Sequence, residues 1–286
     1  MWKGTDFMRM IKKEALQRFR EYLANEEKAT ATINKYVHDV NKFQNWLGEQ
    51  ELCKAAVLAY KSYLCEYYAP ASVNAALSSL NHFFCFMEWY DLRVKNLKIQ
   101  KQIFTSTDKE LTKNEYERLL QAAKQKKNER LYLLMQTICS TGIRVSEVRY
   151  ITVEAVSRGL AEINCKGKRR KVLLPKQLCQ ILKQYIKEQK IKSGSVFVTK
   201  NGNPLDRSNI WSDMKKLCRV ARVSEKKVFP HNLRHLFART YYSIQKDIVR
   251  LADILGHNSV NTTRIYTMET GEIHRKQIQK LGLLRC

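Results

Sequence analysis

The chain has 286 residues, 44% of them hydrophobic, so it can form one large globular domain or two ordinary ones and is not expected to be disordered. It has no apolar run of about eighteen residues that could span a membrane, and its N-terminus lacks the features of a secretory signal. The formal net charge is +25, from 52 Lys and Arg against 27 Asp and Glu. Because such an excess repels itself in a compact fold, a polyanionic partner is expected, and nucleic acid is the commonest one.

The 8 cysteines of the chain indicate a reducing compartment. No two of them form a CxxC pair, and most lie in apolar stretches with a helical pattern. They are therefore interpreted as reduced core residues of a cytoplasmic protein rather than as disulfides or zinc ligands. These residues are Cys53, Cys65, Cys85, Cys139, Cys165, Cys179, Cys218 and Cys286.

Residues 8–92 have a helical pattern throughout. Apolar residues recur there at three- and four-residue steps, which places them on one face of each predicted helix. The apolar stripes cover residues 15–23, 33–47, 58–67 and 73–87. This segment therefore predicts a compact bundle of about four helices, and nothing in it has a catalytic pattern.

Residues 109–286 have a mixed pattern, and a basic, aperiodic stretch over residues 93–108 separates them from the bundle as a linker. Helices are predicted at about 113–125 and 129–141. The stretch "LAEINCKGKRRKVLLP" has the alternation and the basic turn of a β-hairpin, and "SVFVTKNGNPL" predicts a short strand closed by Asn-Gly. Helices are expected from there to the end. The predicted fold class is mainly α with a small antiparallel β-sheet.

Four short motifs in the second segment carry residues suited to chemistry on a phosphate. Arg144 follows a Thr-Gly turn in "STGIRVSEVRYI", and the basic hairpin turn reads "CKGKRRK". In "PHNLRHLFA", His231 and Arg234 are three residues apart and share one helix face. His257 lies in "LGHNSVNTTRIYT", and Tyr266 follows it nine residues later. Taken singly, each motif has an ordinary explanation: a capping or surface arginine, a solvated turn, a satisfied histidine, a packing tyrosine.

Taken in order, the motifs resemble those of the tyrosine recombinase family, which includes phage integrases and Xer-type recombinases. "TGIRVSE" is similar to the family's first arginine motif, "HNLRHLFA" to its His-x-Leu-Arg-His segment, and "LGHNSVNTTRIYT" to its last motif. The helical segment is similar to the family's SAM-like core-binding domain, so the resemblance covers nearly the whole chain. It implies a helical core-binding domain over residues 8–92, a linker over 93–108 and an α+β catalytic domain over 109–286.

The resemblance implies a catalytic set that converges on one phosphodiester. Guanidiniums can hold the non-bridging oxygens by planar hydrogen bonds, and such positioned charge is usually the largest catalytic contribution. Histidines can add hydrogen bonds or transfer protons, and nearby arginines favour the phenolate of a tyrosine nucleophile. The leaving 5′-hydroxyl needs a proton, which a hairpin lysine supplies in the family. The expected catalytic residues are Arg144, Lys166, His231, Arg234, His257 and Tyr266.

Three assignments rest on a choice between two readings. Lys166 precedes the hairpin glycine as the family's lysine does, but this hairpin is one residue longer before its proline than the Xer pattern, and Lys168 is the alternative. Glu147 resembles the family's acidic partner that orients active-site groups, and a helix-surface carboxylate is the other reading. His235 is interpreted as structural, because as a neighbour of Arg234 it would point away from the shared helix face.

No metal or nucleotide cofactor is expected. The sequence has no carboxylate cluster typical of two-metal nucleases and no glycine-rich phosphate loop. In the expected reaction the arginines and the lysine serve in place of a metal ion. A 3′-phosphotyrosyl bond would keep the energy of the cleaved strand, so that religation needs no ATP.

The expected function is that of a site-specific tyrosine recombinase, which cleaves and rejoins DNA in the integration, excision or resolution of a mobile element or replicon. Its expected partner is double-stranded DNA with an inverted-repeat core site, bound by a homotetramer, with accessory DNA-bending or directionality factors. The cytoplasm is the expected location, with no membrane involved. Two alternatives remain open: an enzyme like type IB topoisomerases, which relaxes supercoils, and an inactive DNA-binding relic.

Both ends of the sequence carry further expectations. Few residues precede the first predicted helix, so no additional arm-binding domain is expected. The stretch "IHRKQIQKLGLL" has an apolar edge. In the family such a tail docks on a neighbouring protomer, and docking on its own domain is the alternative.

Overall fold

The computed structural model describes residues 9–99, 109–165, 168–266 and 279–281. The chain divides into two compact units, Met1–Lys101 and Gln102–Cys286. Within the described ranges, no helix has both the length and the apolar character needed to cross a membrane.

Over residues 9–99, the first unit is a bundle of four α-helices, as its apolar stripes predict. The helices are α1 (Lys13–Asn25), α2 (Thr30–Leu47), α3 (Lys54–Tyr67) and α4 (Pro70–Phe86). Pro70 lies in the first turn of α4, where its missing N–H costs no hydrogen bond. The core is aromatic: the fully buried rings of Phe19 and Phe83 meet edge-on with their centroids 5.1 Å apart. A 3₁₀ turn at Tyr90–Leu92 follows the bundle.

In its described residues, the second unit combines helices with one β-hairpin. Its helices are α5 (Lys113–Gln125), α6 (Glu129–Thr141), α7 (Val153–Arg158), α8 (Lys176–Glu188), α9 (Arg207–Lys215), α10 (Cys218–Ala221), α11 (Pro230–Gln245), α12 (Ile248–Leu255) and α13 (Val260–Thr263). Strands β1 (Leu160–Cys165) and β2 (Lys168–Leu173) pair antiparallel, with Leu160 opposite Leu173 and Cys165 opposite Lys168. The predicted fold class, mainly α with a small antiparallel sheet, is confirmed.

The strand predicted in "SVFVTKNGNPL" does not form. The structure has isolated bridges there instead, one between Val198 and Pro204 and one between Thr152 and Ser195. Thr199 donates its backbone N–H to Asn203 across a tight turn. Leu205 donates its backbone N–H to Phe197 on the other side of the bridge, so Pro204 lies between two hydrogen bonds and needs no N–H of its own. The local pattern of apolar residues and an Asn-Gly turn is therefore not sufficient for a strand at this position.

The core of the second unit holds α6 against α11. Leu134 and Ile138 of α6 and Leu233 of α11 are fully buried in one apolar cluster. Full burial of each such side chain stabilises the fold by about 1.5–3 kcal/mol. This packing fixes the two segments that carry Arg144, just beyond the end of α6, and Arg234, in the second turn of α11.

Candidate active site

The turn after α6 places Arg144. Gly142 ends this helix with φ +64°, a left-handed conformation that favours glycine, and a Cβ there would collide with the Phe237 ring. The chain then enters a 3₁₀ helix over Val145–Tyr150, with Arg144 as its N-cap. Arg144 Nη2 donates to the carbonyl oxygen of Gly256 at 3.2 Å, while the side chain stays 40% exposed. The guanidinium is therefore anchored on the protein and still accessible to a ligand.

Glu147 is buried beside this arginine, with 4% of its side chain exposed. It accepts hydrogen bonds from Arg144 N at 2.8 Å, Arg144 Nη1 at 2.9 Å and Arg170 Nη2 at 2.5 Å. Burial acts to raise the pKa of this carboxyl, but the hydrogen bonds from Arg144 and Arg170 outweigh it and hold the pKa below its ordinary value. The helix-surface reading of Glu147 is therefore wrong, since an ionised, buried carboxylate orients two guanidiniums here.

Arg234 is the most deeply buried charge of the site, at 1% exposure. Its Nη1 donates to the carbonyl of Gly142 at 2.6 Å, and its Nη2 lies 2.8 Å from the carbonyl of Leu255 and 2.9 Å from His257 Nε2. Burial, followed by the charge of Arg144, lowers the pKa of Arg234 to about 10. The side chain therefore remains a cation at neutral pH.

The C-terminal end of α12 binds three guanidiniums. The last carbonyls of a helix lack intrahelical partners and carry the negative end of its dipole. After α12 the chain turns at Gly256, whose φ is +62°, and the next backbone N–H, of His257, returns to Ala252. Three successive carbonyls then accept from arginines: Ile254 from Arg170 at 2.7 Å, Leu255 from Arg234 at 2.8 Å and Gly256 from Arg144 at 3.2 Å. Three positive charges are thus gathered beside His257.

The ring of His257 is held from both sides. Its Nε2 lies 2.9 Å from Arg234 Nη2, and its Nδ1 lies 2.8 Å from Thr263 Oγ1. Because a guanidinium can only donate, Nε2 accepts, and the neutral ring carries its proton on Nδ1. Burial, followed by the charges of Arg234 and Arg144, lowers the pKa of His257 to about 4. At neutral pH this imidazole is therefore uncharged.

Tyr266 packs against the same face of α11 that carries His231. The tyrosine lies in a 3₁₀ turn, Arg264–Tyr266, and is 4% exposed. Its ring meets His235 edge-on with centroids 4.8 Å apart, and His235 meets His231 in the same manner at 4.5 Å. His235 therefore lies on the face of α11 that carries His231 and does not point away from it, while the contacts with both rings agree with a structural role. Residues 231 and 235 are about one helical turn apart, so their side chains share a face.

Five of the six expected catalytic residues line one cavity of about 600 Å³. They are Arg144, His231, Arg234, His257 and Tyr266. A second cavity, of about 850 Å³, shares Arg144 and His257 with the first and is also lined by Arg170. The sixth expected residue, Lys166, lies outside the described residues, as do the side chain of Lys168 and almost all of the C-terminal tail.

The chemistry that this cavity offers is that of guanidiniums beside neutral imidazoles and a phenol. Planar pairs of N–H groups on a guanidinium fit the oxygens of a phosphate. A neutral imidazole can accept a proton, and a phenol that gives one up can attack phosphorus. Among the described residues, no group of three or more His, Cys, Asp or Glu side chains is arranged to hold a metal ion.

Family models match both units of the chain. Residues 109–272 match the model of the phage integrase family, and residues 16–90 match that of the phage integrase N-terminal SAM-like domain. The chain belongs to the phage integrase family. This recombinase family is the one that the order of the sequence motifs predicts, so that assignment is confirmed.

Individual relatives of this recombinase agree with the family models. Tyrosine recombinase XerA of Thermococcus kodakarensis is 31% identical, over 95% of this chain and 96% of its own. Tyrosine recombinase XerA of Pyrococcus furiosus is 29% identical, over 96% of each chain. The structure also resembles a crystal structure of a lambda integrase tetramer bound to a Holliday junction, with a TM-score of 0.70 over 88% of this chain and 76% of that one. At 18% identity, that likeness shows the fold alone.

Two contacting residues of the recombinase site escape the sequence analysis. Arg170 is hidden in a basic run, although strand alternation places it on the same face of β2 as the buried Val172 and could have indicated that it points inward. Thr263 is fully buried and contacts His257, but no sequence pattern distinguishes it from its neighbours.

Proposed function

We propose that this tyrosine recombinase cleaves and rejoins DNA with Tyr266 as nucleophile, through a 3′-phosphotyrosyl intermediate. The phenol oxygen attacks the scissile phosphorus, the bond from phosphorus to the 5′-oxygen breaks, and the 5′-hydroxyl leaves. Attack by the 5′-hydroxyl of a partner strand reverses these steps. The observation that supports this proposal is that Tyr266, Arg144 and Arg234 line one cavity.

Arg144 and Arg234 are proposed to bind the non-bridging oxygens of the scissile phosphate. Both are held in place by backbone carbonyls before any ligand arrives. Their orientation therefore needs little reorganisation when charge develops on the phosphate, and preorganised charge of this kind is usually the largest catalytic contribution. Glu147, through its hydrogen bonds to Arg144, is proposed to keep that guanidinium in the orientation required.

His231 and His257 are proposed to add hydrogen bonds to the phosphate and to move protons. Burial, followed by the charges of Arg234 and Arg144, lowers the pKa of His231 as well as that of His257. Both rings are therefore neutral at pH 7, and a neutral imidazole can accept the proton of the phenol. A phosphate that takes over the Arg234 N–H would release His257 Nε2 for this purpose.

The proton for the leaving 5′-hydroxyl is proposed to come from the hairpin turn. Lys166 is the first candidate and Lys168 the alternative. This proposal is supported by Arg170 of β2, which contacts both Glu147 and the end of α12. Substituting each lysine by methionine in turn would identify the acid: a substrate with a 5′-bridging sulfur, whose leaving group needs no proton, should restore cleavage only to the variant that lacks the acid.

The proposed partner is double-stranded DNA with an inverted-repeat core site, bound by a homotetramer and assisted by accessory factors. The net charge of +25 suits a phosphate backbone. We assign DNA contacts to a core-binding domain over residues 8–92, joined by a linker at 93–108 to a catalytic domain at 109–286. We propose the cytoplasm, a reducing compartment, as the location of the reaction, and the free thiols of the cysteines with described side chains support this proposal. They are Cys53, Cys65, Cys85, Cys139, Cys179 and Cys218.

Covalent trapping on random-sequence DNA tests this proposal. Wild-type protein is incubated with a library of random duplexes, and DNA that remains attached to protein in SDS is isolated and sequenced. We expect adducts on sites with inverted half-sites, and no adduct with Tyr266→Phe. Tyr132→Phe, which removes a phenol hydroxyl elsewhere in the same unit, is the matched control and should form adducts as wild type does.

Two outcomes of this experiment would contradict the proposal. Adducts formed by Tyr266→Phe at the wild-type level would mean that another residue is the nucleophile. Adducts without any shared sequence, together with relaxation of any supercoiled plasmid, would indicate a relaxing enzyme rather than a site-specific recombinase.

A further inference from the structure

Arg170 points inward from a strand whose neighbouring side chains face solvent. It lies in β2 opposite Ile163, and its side chain is 17% exposed, whereas Arg169 and Lys171 are exposed. Its two terminal nitrogens donate to different segments of the chain. Nη2 donates to Glu147 Oε2 at 2.5 Å, and Nη1 donates to the carbonyl of Ile254 at 2.7 Å. One side chain thus joins the hairpin to both halves of the proposed phosphate site.

The turn at Gly256 is built around this guanidinium. A Cβ at Gly256 would lie 2.5 Å from Cδ of Arg170, closer than real Cβ atoms come to a neighbour, and 3.0 Å from its Nε. The turn therefore packs its backbone directly against Arg170. Arg144 reaches the carbonyl of the same glycine, and His257 is the next residue, so a shift of Arg170 would displace both.

The position of Arg170 distinguishes it from the two arginines proposed to bind phosphate. Arg144 and Arg234 line the cavity that holds Tyr266, whereas Arg170 is not among the residues lining it. Its Nε is buried without a hydrogen-bond partner among the described residues. A buried donor left unpaired is unfavourable, so the side chain is held by its two terminal contacts in spite of that cost.

From this geometry we propose that Arg170 is a positioning residue: it holds Glu147 and the end of α12 together, and thereby sets Arg144 and His257 for the scissile phosphate. The planar fork of arginine is required, because one end must donate in two directions to fixed acceptors. A lysine keeps the positive charge but presents it at a single atom on a flexible chain. The proposal rests on the proposed function for its consequences in catalysis, but its structural part does not.

The kinetic test separates positioning from DNA binding. Arg170→Met, Arg170→Lys and the control Lys171→Met, which removes a charge from the opposite face of the same strand, are compared on a nicked duplex carrying the trapped site. At saturating protein, Arg170→Met should form the covalent adduct about 100-fold more slowly, since small displacements of catalytic groups cost about that much. The DNA dissociation constant should change less than about threefold. Arg170→Lys should recover part of the rate and Lys171→Met nearly all of it.

A second test needs no DNA and remains informative if the proposed function is wrong. Hydrogen exchange of the Arg144 amide reports on Glu147, because that amide donates to the Glu147 carboxylate. Arg170→Met should speed this exchange about tenfold, while the amide of the core residue Leu134 and the melting temperature report any general loss of structure. Lys171→Met should leave the Arg144 amide as it is in wild type.

The outcomes of the kinetic and exchange tests distinguish a positioning role of Arg170 from its alternatives. A slowed adduct rate with intact DNA binding, faster exchange at Arg144 and an unchanged Leu134 amide would support the positioning role. Wild-type adduct formation by Arg170→Met, or a loss of DNA affinity that accounts for the whole effect, would overturn it. So would equal acceleration of exchange at Arg144 and Leu134, which indicates general destabilisation. Failure of the wild type to form any adduct would refute the proposed function, while the exchange test would still decide the structural part.

Discussion

The two units of this recombinase bury charge in different ways. In the helical unit, Asp39 is 6% exposed, and it is paired with Lys35 and accepts a hydrogen bond from Ser79 at 2.7 Å. In the second unit, Arg234 is 1% exposed, and the hydrogen-bond partners that the structure describes for it are two carbonyls, the neutral His257 and the phenol of Tyr266. The first charge is neutralised by an opposite charge, and the second is solvated by dipoles alone.

This difference indicates where an anion binds. The buried carboxylate of Asp39 already has a counter-charge in Lys35, whose side chain is 51% exposed, and it gains nothing from an anionic ligand. A buried guanidinium held by neutral dipoles retains its net charge, and burial weakens the screening of that charge by water. Arg234 lines an open cavity together with Arg144. Under the proposed function, a phosphate entering that cavity would supply a counter-charge to Arg234.

The largest effect that follows from this comparison concerns Arg234→Lys. The ammonium keeps the charge but cannot donate to the carbonyls of Gly142 and Leu255 and to a phosphate in one fixed plane. We expect covalent adduct formation to fall about 10³-fold, the loss typical of removing a preorganised donor from developing charge. Single-turnover trapping at saturating protein measures this directly. A lysine variant within tenfold of wild type would show that charge alone, without its planar geometry, is sufficient.

How much of the structure can be predicted from the sequence depends on how far apart in the sequence the interacting residues lie. The helices at 113–125 and 129–141 follow from local apolar periodicity, and their bounds agree with Lys113–Gln125 and Glu129–Thr141. The fold class and the family follow from such patterns and from motif order. The gathering of three guanidiniums at the end of α12 does not, because it joins residues distant in sequence: Arg144 and Gly256 are 112 positions apart, and Arg170 and Ile254 are 84 apart.

The wrong expectation for the direction of the His235 side chain has a different origin. Adjacent residues on a helix point in different directions, which separates His235 from Arg234 as the sequence suggests. The same helical spacing, however, brings His235 onto the face of His231, where Tyr266 packs. The site uses two neighbouring faces of α11, and the sequence alone does not reveal how wide the site is.

A second, smaller effect is expected at His235 itself. Burial, followed by the charges of His231 and Arg234, lowers the pKa of His235 to about 4, so the ring is neutral at pH 7 and acts by packing. An edge-on aromatic contact contributes about 0.5–1.5 kcal/mol, so His235→Ala should slow adduct formation about threefold to tenfold. His235→Phe keeps an aromatic ring and should recover most of that rate. A phenylalanine variant as slow as the alanine variant would instead assign a proton-transfer role to the imidazole.

Acid should weaken the second unit through the same histidines. In the unfolded chain, histidines bind protons below about pH 6.5. In the folded chain, the pKa of His257 and of His235 is about 4, chiefly because of burial. Between pH 4 and pH 6.5 the unfolded state therefore binds more protons than the folded state. The contribution of these histidines to the free energy of unfolding is fully present above pH 6.5 and is lost as the pH falls from 6.5 toward 4. Denaturant midpoints at pH 7 and pH 5 measure this decrease in the free energy of unfolding. The decrease should be smaller in His257→Asn than in wild type.

The smallest effect on catalysis is expected from Asp39→Asn in the helical unit. Asparagine can still accept the hydrogen bond from Ser79, but the ion pair with Lys35 is lost, so the local free energy of unfolding should fall by about 1–2 kcal/mol. Hydrogen exchange of the α2 amides measures this change. Adduct formation at saturating protein should stay within about twofold of wild type, because the Asp39 carboxylate is already paired with Lys35 and is not expected to contact DNA. A tenfold slower adduct rate with unchanged α2 exchange would contradict the contrast between the two buried charges. It would mean that the carboxylate of Asp39, which is already paired, affects catalysis as an arginine proposed to bind the substrate phosphate does.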